Sequence, residues 1–272
     1  MKFTPKQLDD NVNLSKTHPL LELFWLLGGL LLLTGIGFVL LGAGADWAAS
    51  KAPISVENWL GRQALKQFPA AENLPLKQRL QALLDSLPAD SPLQQYNFRV
   101  FLRETDEVNA IALPGGNIVV FSGLLQQLES ENELAMILAH ELGHFAQRDH
   151  LRGLGRGLGL AVAAALFLGE DNAASNLISN WLLTFQLSYS QAQEASADRF
   201  GLELLVARYG HAGGNSDFFA RMAKQAGSRI PYLLASHPHP QARIDKLIAL
   251  IKERDYPLAA TLPLAQDLKI GN

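Results

Sequence analysis

From Leu23 to Ala45 the chain is apolar on every face a helix could present, 23 residues without a charge. As a helix this run would extend roughly 35 Å, enough for a hydrocarbon core of about 30 Å. A buried core helix would carry polar residues at helical spacing, and this run carries none. A cleaved signal peptide has a shorter apolar region, although Ala43 to Ala45 resembles a cleavage site. The pattern therefore predicts an uncleaved transmembrane anchor over 23–45. Trp25 and Trp47, near its two ends, suit the membrane interfaces. Lys2, Lys6 and Lys16 before the span balance Lys51, Arg62 and Lys66 after it, so charge sets no orientation.

Residues 46–92 change character. Two stretches, VENWLGRQALKQF and LKQRLQALLDSL, place apolar residues at helical spacing, punctuated by Pro53, Pro69, Pro75 and Pro88. Alternation takes over next: Tyr96, Phe98, Val100 and Leu102 interleave with polar neighbours, as do Val108, Ala110 and Ala112. PGGN, Pro114 to Asn117, is a turn signal, and IVVF reads as the following strand. These segments predict a small antiparallel sheet. From Ser130 the period is helical again, with Leu134, Leu138, Leu142 and Phe145 in one stripe. Ala135, Ala139, Gly143 and Ala146 form a second face of small residues suited to close packing. Gly157–Gly169 is apolar but short for a span, and with Leu177–Phe185 it reads as a buried helical pair, with a hairpin leaning on the membrane as the alternative.

The chain has 272 residues, a net charge of −3 and no cysteine. The charge gives no reason to expect a nucleic acid partner. Without thiols, any metal must be held by histidine and carboxylate.

Such a set is present. His140 and His144 are four apart on the helical segment, so both imidazoles share one face, where a single tetrahedral zinc could take both. Glu141 is adjacent but offset, within reach of a water at the metal without ligating it. For a third ligand, His150 stands ten residues after His140, the spacing of the HExxHxxGxxH motif. That motif needs a glycine to break the helix, and Gln147 stands there instead. A helix continuing past Gln147 would rotate His150 by about 80° from the face of His140, leaving it a surface or capping histidine. The competing candidate is Glu194, with Asp198 four residues on along a second helical segment whose neighbours Ala192, Ala195 and Ala197 favour burial. One of these carboxylates can ligate while the other accepts a hydrogen bond from a ligand histidine. Glu170 and Asp171 fall in a loop-like composition before Asn172, which makes Glu194 the better ligand.

Four segments in order, NAIALPGGNIVVFSGLL (Asn109 to Leu125), ELAMILAHELGHFAQRDH (Glu133 to His150), EASADRFG (Glu194 to Gly201) and SHPHPQARI (Ser236 to Ile244), complete a pattern. It resembles the membrane-associated zinc metallopeptidases of the HtpX and type I CAAX prenyl protease kind, over about residues 94–250. Family members often carry arginine where Gln191 stands. The resemblance implies a gluzincin fold with one zinc on His140, His144 and Glu194, Glu141 as general base, and Asp198 and Arg243 supporting the ligands. It also implies that Asn109, Ala110, Ile111 and Ala112 pair with an extended substrate. His237, six residues before Arg243, would stabilise the developing oxyanion; by itself HPHP reads as a rigid loop with exposed histidines.

The expected fold is mostly helical α+β, a zincin-like domain behind one transmembrane helix. Its expected boundaries are a tail over 1–22, the anchor over 23–45 in contact with membrane lipid, a helical lead-in over 46–92, the metallopeptidase domain over 93–255 and a tail over 256–272. The expected function is proteolysis of protein or peptide substrates in membrane or envelope quality control, single-pass in the bacterial inner membrane. A zinc-bearing chaperone or scaffold, and a metzincin-like protease using His150, are the alternatives.

Overall fold

Apolar stretches become helices and alternating stretches become strands in the computed structural model, which describes residues 18–67, 69–153, 155, 189–225, 237 and 240–268. The apolar run lies within α1 (Pro19–Lys51), a helix of 33 residues. Pro19–Gly44 within it is long and apolar enough to cross a membrane, by length and composition. Its large side chains are exposed, Leu31 by 73%, so it is not a core helix. The apolar segments over 157–185 lie outside the described residues.

α2 (Ile54–Gln67) follows after Ala52 and Pro53, and α3 (Leu74–Leu84) after strand β1 (Ala71–Glu72). Asn73 caps α3, its side chain accepting the Leu76 amide at 3.0 Å, and Leu76, Leu80 and Leu83 enter the core. The lead-in segment is thereby part of the domain's packing. Strands β2 (Arg99–Arg103), β3 (Ala110–Leu113) and β4 (Asn117–Phe121) complete a sheet of order β1-β2-β4-β3. The sheet is mixed, not antiparallel as the alternation alone predicts: β2 and β4 run parallel. The link from β2 crosses to the far edge before the chain returns, so the tight β3–β4 hairpin inserts with β4 inward. Gly115 and Gly116 both take positive φ, 75° and 78°, to make that hairpin turn.

After the short α4 (Ser122–Gln127) comes α5 (Glu131–Gln147), buried from Asn132 to Phe145. Ser130 caps it, accepting the Glu133 amide at 3.2 Å. α5 does not run on past Gln147. Arg148 adopts the left-handed conformation, φ 55° and ψ 32°, and its amide closes the helix on the carbonyls of His144 and Phe145. α6 (Gln191–Tyr209) begins with a capping box between Ser190 and Gln193 and ends at Gly210. α7 (Asp217–Gln225) and α8 (Pro240–Glu253) pack beyond it. The chain after Asp255 crosses the start of α5, where Leu262 accepts the Glu131 amide at 2.9 Å and Asp267 pairs with Arg79 at 2.7 Å.

α5 and α6 meet through small residues. A Cβ on Gly143 would stand 2.8 Å from the Ala197 Cα, and one on Gly201 would stand 3.1 Å from the His140 amide nitrogen. This close approach brings the His140–His144 face of α5 against the Glu194–Asp198 face of α6. Alanine at Gly143 would gain about 1 kcal/mol of helix propensity but clash with backbone, a cost at the upper end of about 1–3 kcal/mol. Gly143→Ala should therefore lose about 2 kcal/mol of stability, read as a lower denaturation midpoint; an unchanged or raised midpoint would show the helices can separate freely.

Candidate metal centre

His140 and His144 project from consecutive turns of α5, their Nε2 atoms 3.1 Å apart. Glu194, in the first turn of α6, places Oε1 3.6 Å from His144 Nε2 and Oε2 3.7 Å from His140 Nε2. His237 brings Nδ1 to 3.2 Å from His140 Nε2 and 2.9 Å from Glu194 Oε1. One donor atom from each of the four lies within 4.8 Å of the others, and all four residues are buried.

Each helix histidine is oriented from outside. His140 donates through Nδ1 to Asp198 Oδ1 at 2.9 Å, and His144 donates through Nδ1 to Asp149 Oδ2 at 3.0 Å. Both Nε2 atoms are left facing the same point. Arg243 holds Asp198 through Nε at 2.8 Å and Nη2 at 2.6 Å, and pairs through Nη1 with Glu194 Oε2 at 2.8 Å. Its guanidinium lies over the Phe219 ring, 4.6 Å from the centroid. Gln193 donates to the other oxygen of Asp149 at 2.8 Å, and Tyr189 stacks on His144 with centroids 3.8 Å apart.

These groups fit a zinc ion. Zinc–nitrogen bonds of about 2.0–2.1 Å at tetrahedral angles separate ligand atoms by about 3.3–3.4 Å, close to the distances across this cluster. Imidazole and carboxylate donors without thiolate are also a set zinc accepts. Burial lowers His140 to a pKa of about 4, with Arg243 adding to the effect against the pull of Asp198. Burial also acts against charge on His144, but its hydrogen bonds to Asp149 and Glu194 raise it to about 9. A cation bound here would release a proton from His144. Burial would raise Glu194, yet His237 and His144 hold it well below the usual carboxylate range; Asp198 is likewise held down by Arg243 and His140.

Glu141 stands at the edge of the cluster. Its Oε1 is 3.6 Å from His237 Nε2, its Oε2 has no hydrogen-bond partner among the described residues, and the Ala112 amide donates to its carboxylate. Burial raises its pKa. Ala112 lies on β3, one of the two edge strands of the sheet among the described residues, with Ala110 and Ile111; Asn109 precedes it and is buried. The β3 edge thus runs beside the cluster.

Two expectations change here. His150 is neither a surface nor a helix-capping residue. It is fully buried, with Nε2 3.3 Å from Glu57 Oε2, and it stays outside the metal cluster. The left-handed turn at Arg148 redirects the chain, so the rotation expected of a continuous helix does not apply. His237 is not an exposed loop histidine, as HPHP by itself reads: it is buried, with Nδ1 facing His140 Nε2 and Glu194 Oε1. Asp149 was not among the expected site residues; it orients His144 because it follows the turn, and helical periodicity carries no signal for it. His239 lies outside the described residues.

Residues 70–251 match peptidase family M48. The chain is 29% identical over 196 residues to the beta-barrel assembly-enhancing protease of Yersinia pestis, covering 67% of this chain and 40% of that one. It is 30% identical over 162 residues to mitochondrial metalloendopeptidase OMA1 of Arabidopsis thaliana, covering 59% and 33%. It is 28% identical over 212 residues to metalloprotease LoiP of Escherichia coli K12, covering 74% and 82%. The chain thus spans less than half the length of the first two of these relatives.

Glu194→Ala should strip the metal, and Asp149→Asn should weaken binding by roughly 10–100-fold because it orients a ligand. His150→Ala should retain most of the metal. Metal analysis with chelator competition reads all three, and loss of metal in His150→Ala alone would revive that histidine as a ligand.

Proposed function

The chain belongs to peptidase family M48, and on that premise we propose that it is a membrane-anchored, zinc-dependent endopeptidase acting on protein substrates. The observation that carries this reading is the convergence of His140, His144 and Glu194 beside a carboxylate, Glu141, that stays outside the ligand cluster. His140, His144 and Glu194 would hold the metal, with Asp198, Asp149 and Arg243 fixing their orientation. The bound zinc would supply Lewis acidity, by which such sites bring the pKa of a water to about 7.

Glu141 then acts as the base. Its uncommitted Oε2 accepts the proton of the attacking water, and its raised pKa suits it to return that proton to the departing amine nitrogen. An extended substrate adding to the edge of β3 along Asn109 to Ala112 would lie beside the cluster. His237 has two nitrogens with different tasks. With Nδ1 in the cluster it makes a fourth protein donor and closes the site. Outside the cluster, its imidazole would be free to stabilise the oxyanion.

α1 supplies the anchor, its apolar side chains meeting lipid. Similarity to beta-barrel assembly-enhancing proteases supports substrates among envelope proteins, and the reading extends to a role in their quality control at a bacterial inner membrane. The four-donor cluster also favours a second reading, a metal-bearing scaffold with little proteolysis, since closed four-ligand sites are typically structural.

Glu141→Gln separates the two. It keeps shape and hydrogen bonding, so zinc should remain near one per chain while casein cleavage falls by about 10²–10⁴. Full cleavage in that variant, or none in the unaltered protein, would sink the endopeptidase reading. Removing residues 1–45 should release the protein from membranes and preserve its metal site. A truncated protein that still floats with lipid vesicles would place membrane contact elsewhere in the chain.

A further inference from the structure

A carboxylate on the helix that follows the membrane segment is buried for no reason the hydrolytic chemistry supplies. Glu57, on α2, is 0% exposed. It accepts hydrogen bonds from Tyr96 Oη at 3.1 and 3.2 Å, from the Arg148 guanidinium and from His150 Nε2 at 3.3 Å. None of these partners belongs to the metal cluster. Arg148 and His150 instead flank Asp149, the fully buried residue that accepts the Nδ1 proton of His144 at 3.0 Å. Arg148 also donates through Nη2 to the Ala52 carbonyl at 2.6 Å, one residue beyond the end of α1.

The backbone explains why such a tether is needed. Arg148 is a non-glycine residue in the left-handed conformation, and this turn alone separates α5 from the helical residues 149–153. L-residues with a Cβ enter that conformation at a cost and remain there only where surrounding contacts fix it. An ion pair with the buried Glu57, together with the bond to Ala52, supplies those contacts. If the turn relaxed, Asp149 would leave His144 and the imidazole would lose its orientation.

We propose that Glu57 is a positioning residue for the metal centre: by holding Arg148 it fixes the left-handed turn that aims Asp149 at His144. The same contacts join the metal site to the exit of the apolar helix, so that α2 is a strut between anchor and ligand. This rests on the metal-binding reading above.

The test is zinc affinity, measured by chelator competition on the full-length protein in detergent. Glu57→Gln and Asp149→Asn should each weaken zinc by about 10–100-fold, as loss of a ligand-orienting group does. Because Glu57 acts through Asp149, the double variant should bind no more weakly than Asp149→Asn alone. Leu80→Ala, a fully buried core position in α3, should lower the melting temperature while keeping zinc affinity, which separates positioning from general destabilisation. Glycine takes the left-handed turn without strain, so Glu57→Gln with Arg148→Gly should recover most of the lost affinity. That double variant also carries the test if Glu57→Gln does not fold. Unchanged affinity in Glu57→Gln, additive losses with Asp149→Asn, or no recovery with Arg148→Gly would overturn the proposal. If the unaltered protein binds no zinc, the metallopeptidase reading fails as well; if it does and Glu57→Gln matches it, only the positioning role fails.

Discussion

Ionisable groups cannot be buried singly, and this constraint organises the region between α5 and α6. His140, Glu141, His144, Asp149, Glu194, Asp198, His237 and Arg243 are each at most 5% exposed. An isolated charge in such a place costs several kcal/mol even after relaxation. The pairings offset that cost: Arg243 faces Asp198 and Glu194, while Asp198 and Asp149 accept hydrogen bonds from His140 and His144. Removing one member strands its neighbour, so the network behaves as a unit. Glu141 is less tightly held: its Oε2 has no hydrogen-bond partner among the described residues.

Close helix contact is what lets the network form. Gly143 on α5 meets Ala197 on α6, and Gly201 meets the backbone of His140. Glu194 and Asp198 bracket Ala197 on the contacting face. The carboxylates therefore reach the imidazoles because the backbones between them nearly touch. The sheet contributes from the other side. Placing β4 inside leaves β3 on the edge, where the Ala112 amide meets Glu141.

The apolar helix and the site share a boundary. α1 ends at Lys51, and within a few residues the chain is bonded to the C-terminal end of α5 through Ala52 and Glu57. α2 is further seated by Gly61, where a Cβ would meet the Pro114 carbonyl oxygen at 2.1 Å. Burial on α2 selects Glu57, Gly61 and Ala64, a narrow face of one acid and two small residues. Such a face maximises proximity rather than apolar area, which suits a strut that fixes position.

What the sequence determined by itself are relations within single regular elements. The spacing of His140 and His144, and of Glu194 and Asp198, puts each pair on one helical face because 3.6 residues make a turn. The 23-residue uncharged run could only be a helix with apolar sides, and PGGN could only be a turn. Relations that cross an irregular junction were decided by tertiary structure. One left-handed residue, Arg148, ended the helix at Gln147 and sent Asp149 toward His144 and His150 toward Glu57. The position of β4, the entry of His237 into the ligand cluster and the burial of Glu57 likewise depend on segments distant in sequence. The physical reason is that periodicity propagates only while backbone dihedrals repeat. Beyond a turn, direction is set by which long-range contacts can bury and pair the groups that follow.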